Sequence, residues 1–128
     1  MPSKRSAKQE AGLLAEHAAL EFLQTHGLQL LQRNALYSVG ELDLVMLDQS
    51  VVVFVEVRQR KNDLFGGAAL SIDRRKQQKC ARAAQCWLKQ HVRFAGNPCR
   101  FDAILFTGQP SQWNLDWIKD AFVFQDMF

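Results

Sequence analysis

Hydrophobic and polar positions along the chain follow two periods in turn. From about Lys8 to His26 the apolar residues Leu13, Leu14, Ala18, Leu20, Phe22 and Leu23 trace a helical stripe, with Gly27 as a stop. Residues 28–33, LQLLQR, predict a short strand, and Asn34 to Val39 an irregular polar approach to Gly40. Segments 41–48 and 51–58 predict two strands separated by a DQS turn region. KNDLFGGAAL then reads as a loop, its Gly66-Gly67 pair marking flexibility or close backbone approach. Ser71 or Asp73 caps a second helix to about His91, with Cys80, Ala83, Ala84, Trp87 and Leu88 on one face. After Asn97-Pro98, CRFDAILFT predicts a buried strand and WNLDWI an edge strand. The order α-β-β-β-α-β-β describes one mixed α/β domain.

The two central strands fix their own register. With Gln49 and Ser50 as a two-residue turn, Leu42, Leu44 and Met46 lie opposite Val57, Val55 and Val53 on a fully apolar face. The other face pairs Leu47 with Val52, Val45 with Phe54, Asp43 with Glu56, and Glu41 with Arg58. A slip of one residue would bury acids among valines, which desolvation opposes. The pattern therefore sets Asp43 and Glu56 across from each other, with Cβ atoms about 4.5–5.5 Å apart. Two carboxylates at that range call for a raised pKa or an intervening cation. A hard cation such as Mg²⁺ suits them, being held by one or two carboxylates with water and phosphate oxygens.

Composition narrows the setting. The 128 residues are 48% hydrophobic and 23% charged, which suits one domain over 1–128 with about 1–7 as a flexible basic tail. The longest apolar run, Val51 to Val55, is far too short to cross a membrane, and no apolar segment of a signal peptide follows the basic N-terminus. Cys80, Cys86 and Cys99 lack metal-ligand spacing and point to a reducing, cytoplasmic setting. The net charge of +3 permits a nucleic-acid partner without demanding one. Arg60, Lys61, Arg74, Arg75, Lys76, Lys79 and Arg82 concentrate positive charge around the 62–72 loop, as a phosphate-tracking surface or a solvated helix face.

GELDLV followed by VFVEVRQR resembles the PD-(D/E)xK nuclease core, where an acid on one strand precedes E-x-K on the next. Over nearly the whole chain the sequence resembles the YraN-like family, whose fold is similar to archaeal Holliday-junction resolvases. The likeness rests on Gly12, Glu16 and Ala19, Arg33-Asn34, GELDLV, VFVEVR, FGGAA at 65–69, RFD at 100–102 and DWIKDAF at 116–122. It implies a restriction-endonuclease-like domain, a mixed central sheet flanked by helices, and metal-dependent hydrolysis of branched or structured DNA. Asp43 and Glu56 match the acids that hold Mg²⁺ or Mn²⁺, with the Val57 carbonyl as a further ligand. Glu16 matches an acid on the first helix, against a plain reading as a solvated helix residue. Arg58 stands where the catalytic lysine is expected; it stabilises charge but does not transfer protons near neutrality. The alternative is a non-catalytic module that binds nucleic acid or recruits proteins through a degenerate nuclease site.

Other residues carry plainer expectations. His17, His26 and His91 are spaced as surface residues, and Trp87, Trp113 and Trp117 as core or interface. Asp102 pairs locally with Arg100. The apolar tail from Phe122 to Phe128 either folds back on the sheet or supports a homodimer, and the sequence leaves both open.

Overall fold

The computed structural model describes residues 6–60 and 72–123. Helix α1, Ala7–Thr25, opens with a reciprocal cap: Ser6 Oγ accepts the Gln9 N–H, and Gln9 Oε1 accepts the Ser6 N–H. Ser6 and Ala7 thus belong to the capped helix and not to the expected basic tail; residues 1–5 lie outside the described residues.

Strand β1 spans Gln29–Tyr37 and absorbs part of the segment expected to be irregular. The chain passes through Asn34 at φ 51° without leaving the strand, and asparagine tolerates that left-handed conformation better than most residues. Strands β2, Gly40–Asp48, and β3, Val51–Arg60, follow. Helix α2, Arg74–Gln90, is capped by Asp73 Oδ1, which accepts the Lys76 N–H at 2.8 Å. The Gly66-Gly67 loop, Ser71 and Lys61 lie outside the described residues.

Strand β4, Cys99–Thr107, is almost wholly buried, and β5, Asn114–Phe122, forms an edge. The edge strand runs further than WNLDWI because a bulge near Asp102 lets it continue. There the buried Asp102 carboxylate accepts the Asp120 N–H, the Trp117 indole N–H and the Arg100 guanidinium, each at 3.0 Å. Asp102 is structural, and Arg100 extends its network to Asp48 at 3.0 Å. Phe122, the last residue of β5, is buried against Phe101; residues 124–128 of the apolar tail lie outside the described residues.

The sheet runs in order β1-β2-β3-β4-β5, antiparallel except for β3 beside β4, the pair whose crossover contains α2. Helix α1 covers Leu44, Met46, Val53, Val55, Ile104 and Phe106 on one face. Helix α2 covers Val45, Val52, Phe54, Phe101, Ala103 and Leu105 on the other. The three-layer α/β/α arrangement follows from those two apolar faces. Trp87 is buried, donates to Gln32 Oε1 at 2.8 Å and stacks on His91, which is half-buried rather than a free surface residue. Among the described residues no helix is long and apolar enough to cross a membrane.

Candidate functional site

The site grows from the place where the central ladder stops. Strands β2 and β3 pair from Asp48–Val51 to Leu44–Val55, in the register that the hydrophobic pattern requires. Beyond Leu44 the strands part. β3 stays paired with β4 as far as Arg60–Thr107, while β2 stays with β1 as far as Gly40–Tyr37. The result is a fork in the sheet.

Asp43 sits in that fork. Its Oδ2 accepts the Val57 N–H at 2.9 Å, in place of a ladder partner on β2. A strand N–H points along the sheet, so the carboxylate that accepts it lies in the gap between the strands. The pleat is broken at the same point: Leu44 joins the α1 core, whereas Leu42 joins the α2 core beside Ala35. This overturns the expectation that Leu42 shares the apolar face of Leu44 and Met46. The ladder also ends before Asp43 could stand directly across from Glu56, or Glu41 from Arg58, so neither expected cross-strand pair forms.

Glu56 follows on β3 between Val55 and Val57, both packed toward α1, so its side chain faces α2. It is 5% exposed, a costly position for a carboxylate without partners. Its partners come mainly from α2. Lys76 Nζ stands 3.3 Å from Oε1, and the Cys80 thiol donates to Oε2 with sulfur at 3.7 Å. Lys76 and Cys80 are one helical turn apart and so share a face. Arg58 Nε lies 3.7 Å from Glu56 Oε1 and is buried without a hydrogen-bond acceptor among the described residues.

The electrostatics bind these groups into one unit. Burial, then the charge of Glu56, pushes the Asp43 carboxyl up to about 7, against the opposing Val57 N–H and Lys76. Burial, then Asp43, also raises Glu16 on α1; Arg33 and Asn34 pull the other way. Glu16 Oε1 is buried and has no hydrogen-bond partner among the described residues. Burial alone would lower the Lys76 amine, but Glu56 and its neighbours outweigh that and raise it. The Cys80 thiol is pushed up to about 12 by burial and by Glu56, so it is a hydrogen-bond donor here and not a nucleophile.

The structure therefore groups Glu16, Asp43, Glu56, Arg58 and Lys76. Arg60 ends β3, and Arg74, Arg75 and Lys79 are exposed on the first turns of α2. Helix α2 is held close over the fork: a Cβ on Gly40 would stand 2.6 Å from the Lys79 carbonyl oxygen. The sequence pattern alone counts Lys76 with the basic cluster read as a phosphate-tracking surface or a solvated helix face, not with the acids, and gives Cys80 no part in the site. The signal that could have found them is their i,i+4 spacing on the apolar stripe of α2.

As metal donors, Asp43 and Glu56 supply two carboxylates, with the unpartnered oxygen of Glu16 beside Asp43. Among the described residues no three His, Cys, Asp or Glu side chains converge as a ready ligand set. Two carboxylates nevertheless suit a hard cation that keeps several of its waters.

The sequence matches the model of Uncharacterised protein family UPF0102 over residues 15–106. The chain belongs to this family. The matched span holds Glu16, Asp43, Glu56, Arg58 and Lys76 and ends before β5. Similar relatives include a UPF0102 protein of Pseudomonas savastanoi pv. phaseolicola, 54% identical over 119 residues, 92% of this chain and 97% of the relative. A UPF0102 protein of Xanthomonas euvesicatoria pv. vesicatoria is 49% identical over 117 residues, 91% and 94% of the two chains.

Proposed function

We propose that the fork between β2 and β3 is the site of a metal-dependent endonuclease of the PD-(D/E)xK kind, related in fold to Holliday-junction resolvases. Its substrate class is branched or otherwise structured DNA. One observation carries the reading: two acids on adjacent strands meet where the ladder stops, under the basic first turns of α2. Mutually repelling, partly buried carboxylates are costly to keep, and functional sites are where such cost persists.

Asp43 and Glu56 would hold Mg²⁺ or Mn²⁺, with the Val57 carbonyl beside them. When bound, the ion would polarise the scissile phosphate and lower the pKa of an attacking water. The remaining work falls to the chain. Arg58 brings a permanent positive charge and an unsatisfied buried N–H to the place where a phosphate oxygen would sit. Arg60, Arg74, Arg75 and Lys79 would follow the flanking backbone through charge alone.

A second reading, a non-catalytic module that binds DNA or recruits proteins, is favoured by one contact. Lys76 already neutralises Glu56, as a structural cation would. A cleavage screen over single-stranded, duplex, flap and four-way DNA, with Mg²⁺, with Mn²⁺ and with EDTA, separates the two. Metal-dependent cleavage of a branched substrate is expected. DNA binding without cleavage under any metal would favour the non-catalytic module.

A further inference from the structure

A pocket of about 320 Å³ lies next to the fork, between the β1–β2 hairpin and α2. Its walls differ in chemistry. Lys76 and Lys79 line one part, Leu36 and Val39 another, and Glu41 a third. Leu36 is 70% exposed and Val39 38%, large apolar side chains left open to water at the mouth of a charged pocket. Lys76 belongs to the pocket and the fork at once, since its ammonium reaches Glu56. A ligand in the pocket therefore lies against the candidate hydrolytic site.

We infer that this pocket takes a single unstacked nucleotide of a DNA strand whose neighbouring phosphate enters the fork; the inference rests on the nuclease reading above. Each wall matches one part of that ligand. The ammonium groups of Lys76 and Lys79 suit a phosphate. Leu36 and Val39 offer an apolar contact for the face of a base, as other sites offer aromatic rings. The Glu41 carboxylate would repel a phosphate, but it accepts hydrogen bonds from the amino groups on a base edge. The base thus lies toward Glu41 and the hairpin, and the phosphate toward α2. A free phosphate would leave Leu36 and Val39 without a role.

Size sets the substrate. The volume is at the small end of ligand pockets, which run from about 300 to 1,000 Å³, and its walls take one face and the edge of a base, which a paired and stacked base does not present. A base reaches such a pocket only when it is unpaired or swung out of the stack, and that costs least where DNA is already single-stranded or branched. The pocket thus supplies a physical reason for preferring flaps and junctions over plain duplex.

The test is fluorescence anisotropy in EDTA with the full-length protein, comparing a duplex with the same duplex carrying a short single-stranded flap. Wild type should bind the flap DNA about tenfold more tightly, the scale of one stacked base. The double variant Leu36→Ser/Val39→Ser replaces two exposed apolar side chains without adding charge, and an unchanged melting curve verifies its fold. It should lose the preference while keeping duplex affinity within about twofold. Equal affinity of wild type for both DNAs, or a preference that survives the double substitution, overturns the pocket and leaves the nuclease reading standing. Failure to bind any DNA overturns both.

Discussion

Lys76 Nζ lies 3.3 Å from Glu56 Oε1, so a helix-borne ammonium occupies the side of the carboxylate that a divalent cation would need. The two cations compete for one oxygen. Lys76→Met should therefore raise Mn²⁺ affinity by about tenfold, the scale of a modest coupling between charges. Without metal the same variant should melt lower, by ~1–3 kcal/mol, because among the described residues Glu56 then keeps only Arg58 and the Cys80 thiol. Calorimetry with Mn²⁺ beside a metal-free melt measures both. Unchanged Mn²⁺ affinity in the variant would mean that Glu56 is no part of a cation site.

Asp43 gives a pH signature. Its carboxyl is pushed from an ordinary 3.8 up to about 7, so over that range the folded chain holds a proton that the unfolded chain releases. The stability it contributes is full below pH 4 and is lost as pH rises through about 7. Asp43→Asn mimics the protonated form and keeps an oxygen to accept the Val57 N–H. In metal-free buffer at pH 8 it should melt higher than wild type by roughly 4–8 °C, about 1–2 kcal/mol, with the gain fading toward pH 4. It should also lose Mn²⁺ binding. A variant that melts lower and binds Mn²⁺ equally well would make Asp43 a structural residue.

The exposed arginines at the start of α2 are tested by salt. Arg74→Ala/Arg75→Ala should weaken binding to DNAs of different sequence by similar factors. The slope of log K against log salt should become shallower by up to about 0.9 for each duplex phosphate that the variant no longer neutralises. An unchanged slope would assign both residues to the solvated face of the helix.

Gly40 couples the hairpin to α2. A Cβ there would stand 2.6 Å from the backbone oxygen of Lys79, which cannot swing aside as a side chain would. Gly40→Ala should cost ~1–3 kcal/mol of stability, the usual scale of overpacking. By shifting the helix that carries Lys76, it should also change Mn²⁺ affinity. A variant with wild-type melting and wild-type Mn²⁺ affinity would show that α2 is free to move off the strand.

The register from Asp48–Val51 to Leu44–Val55 is legible in the sequence because a slip would place acids among valines, a penalty that outweighs a weak Gln49-Ser50 turn. The reversal of Leu42 is not. It depends on the Asp43 carboxylate capturing the Val57 N–H, and hydropathy does not register a side chain that replaces a ladder bond. The polar segment after Asn34 predicts an end to β1, yet a single left-handed asparagine carries the strand to Tyr37. The local pairing of Asp102 with Arg100 can be read from their spacing. Its hold on the Asp120 N–H, which lets β5 continue to Phe122, requires contacts across strands.

Arg58 is where resemblance and chemistry separate. A lysine at this position can shift its pKa and move protons, whereas the guanidinium stays charged throughout. Its Nε is buried, 3.7 Å from Glu56 and without a hydrogen-bond acceptor among the described residues, which leaves one strong donor beside the fork. If that donor meets a phosphate oxygen as charge builds up, Arg58→Ala should reduce cleavage by about a hundredfold or more, the scale for losing one such donor. Mn²⁺ affinity should hold or improve slightly, because a positive charge has been removed from beside the carboxylates. Arg58→Lys should keep part of the activity or exceed wild type, since an ammonium supplies the charge and can also release a proton. Binding and cleavage must be read separately on the same flap DNA. Loss of cleavage with DNA and metal binding intact assigns Arg58 to charge stabilisation in the reaction. If Arg58→Ala cleaves as wild type does, the charge at this position is not used. The ammonium of Lys76, which meets the same Glu56 oxygen, would then be the group to vary next.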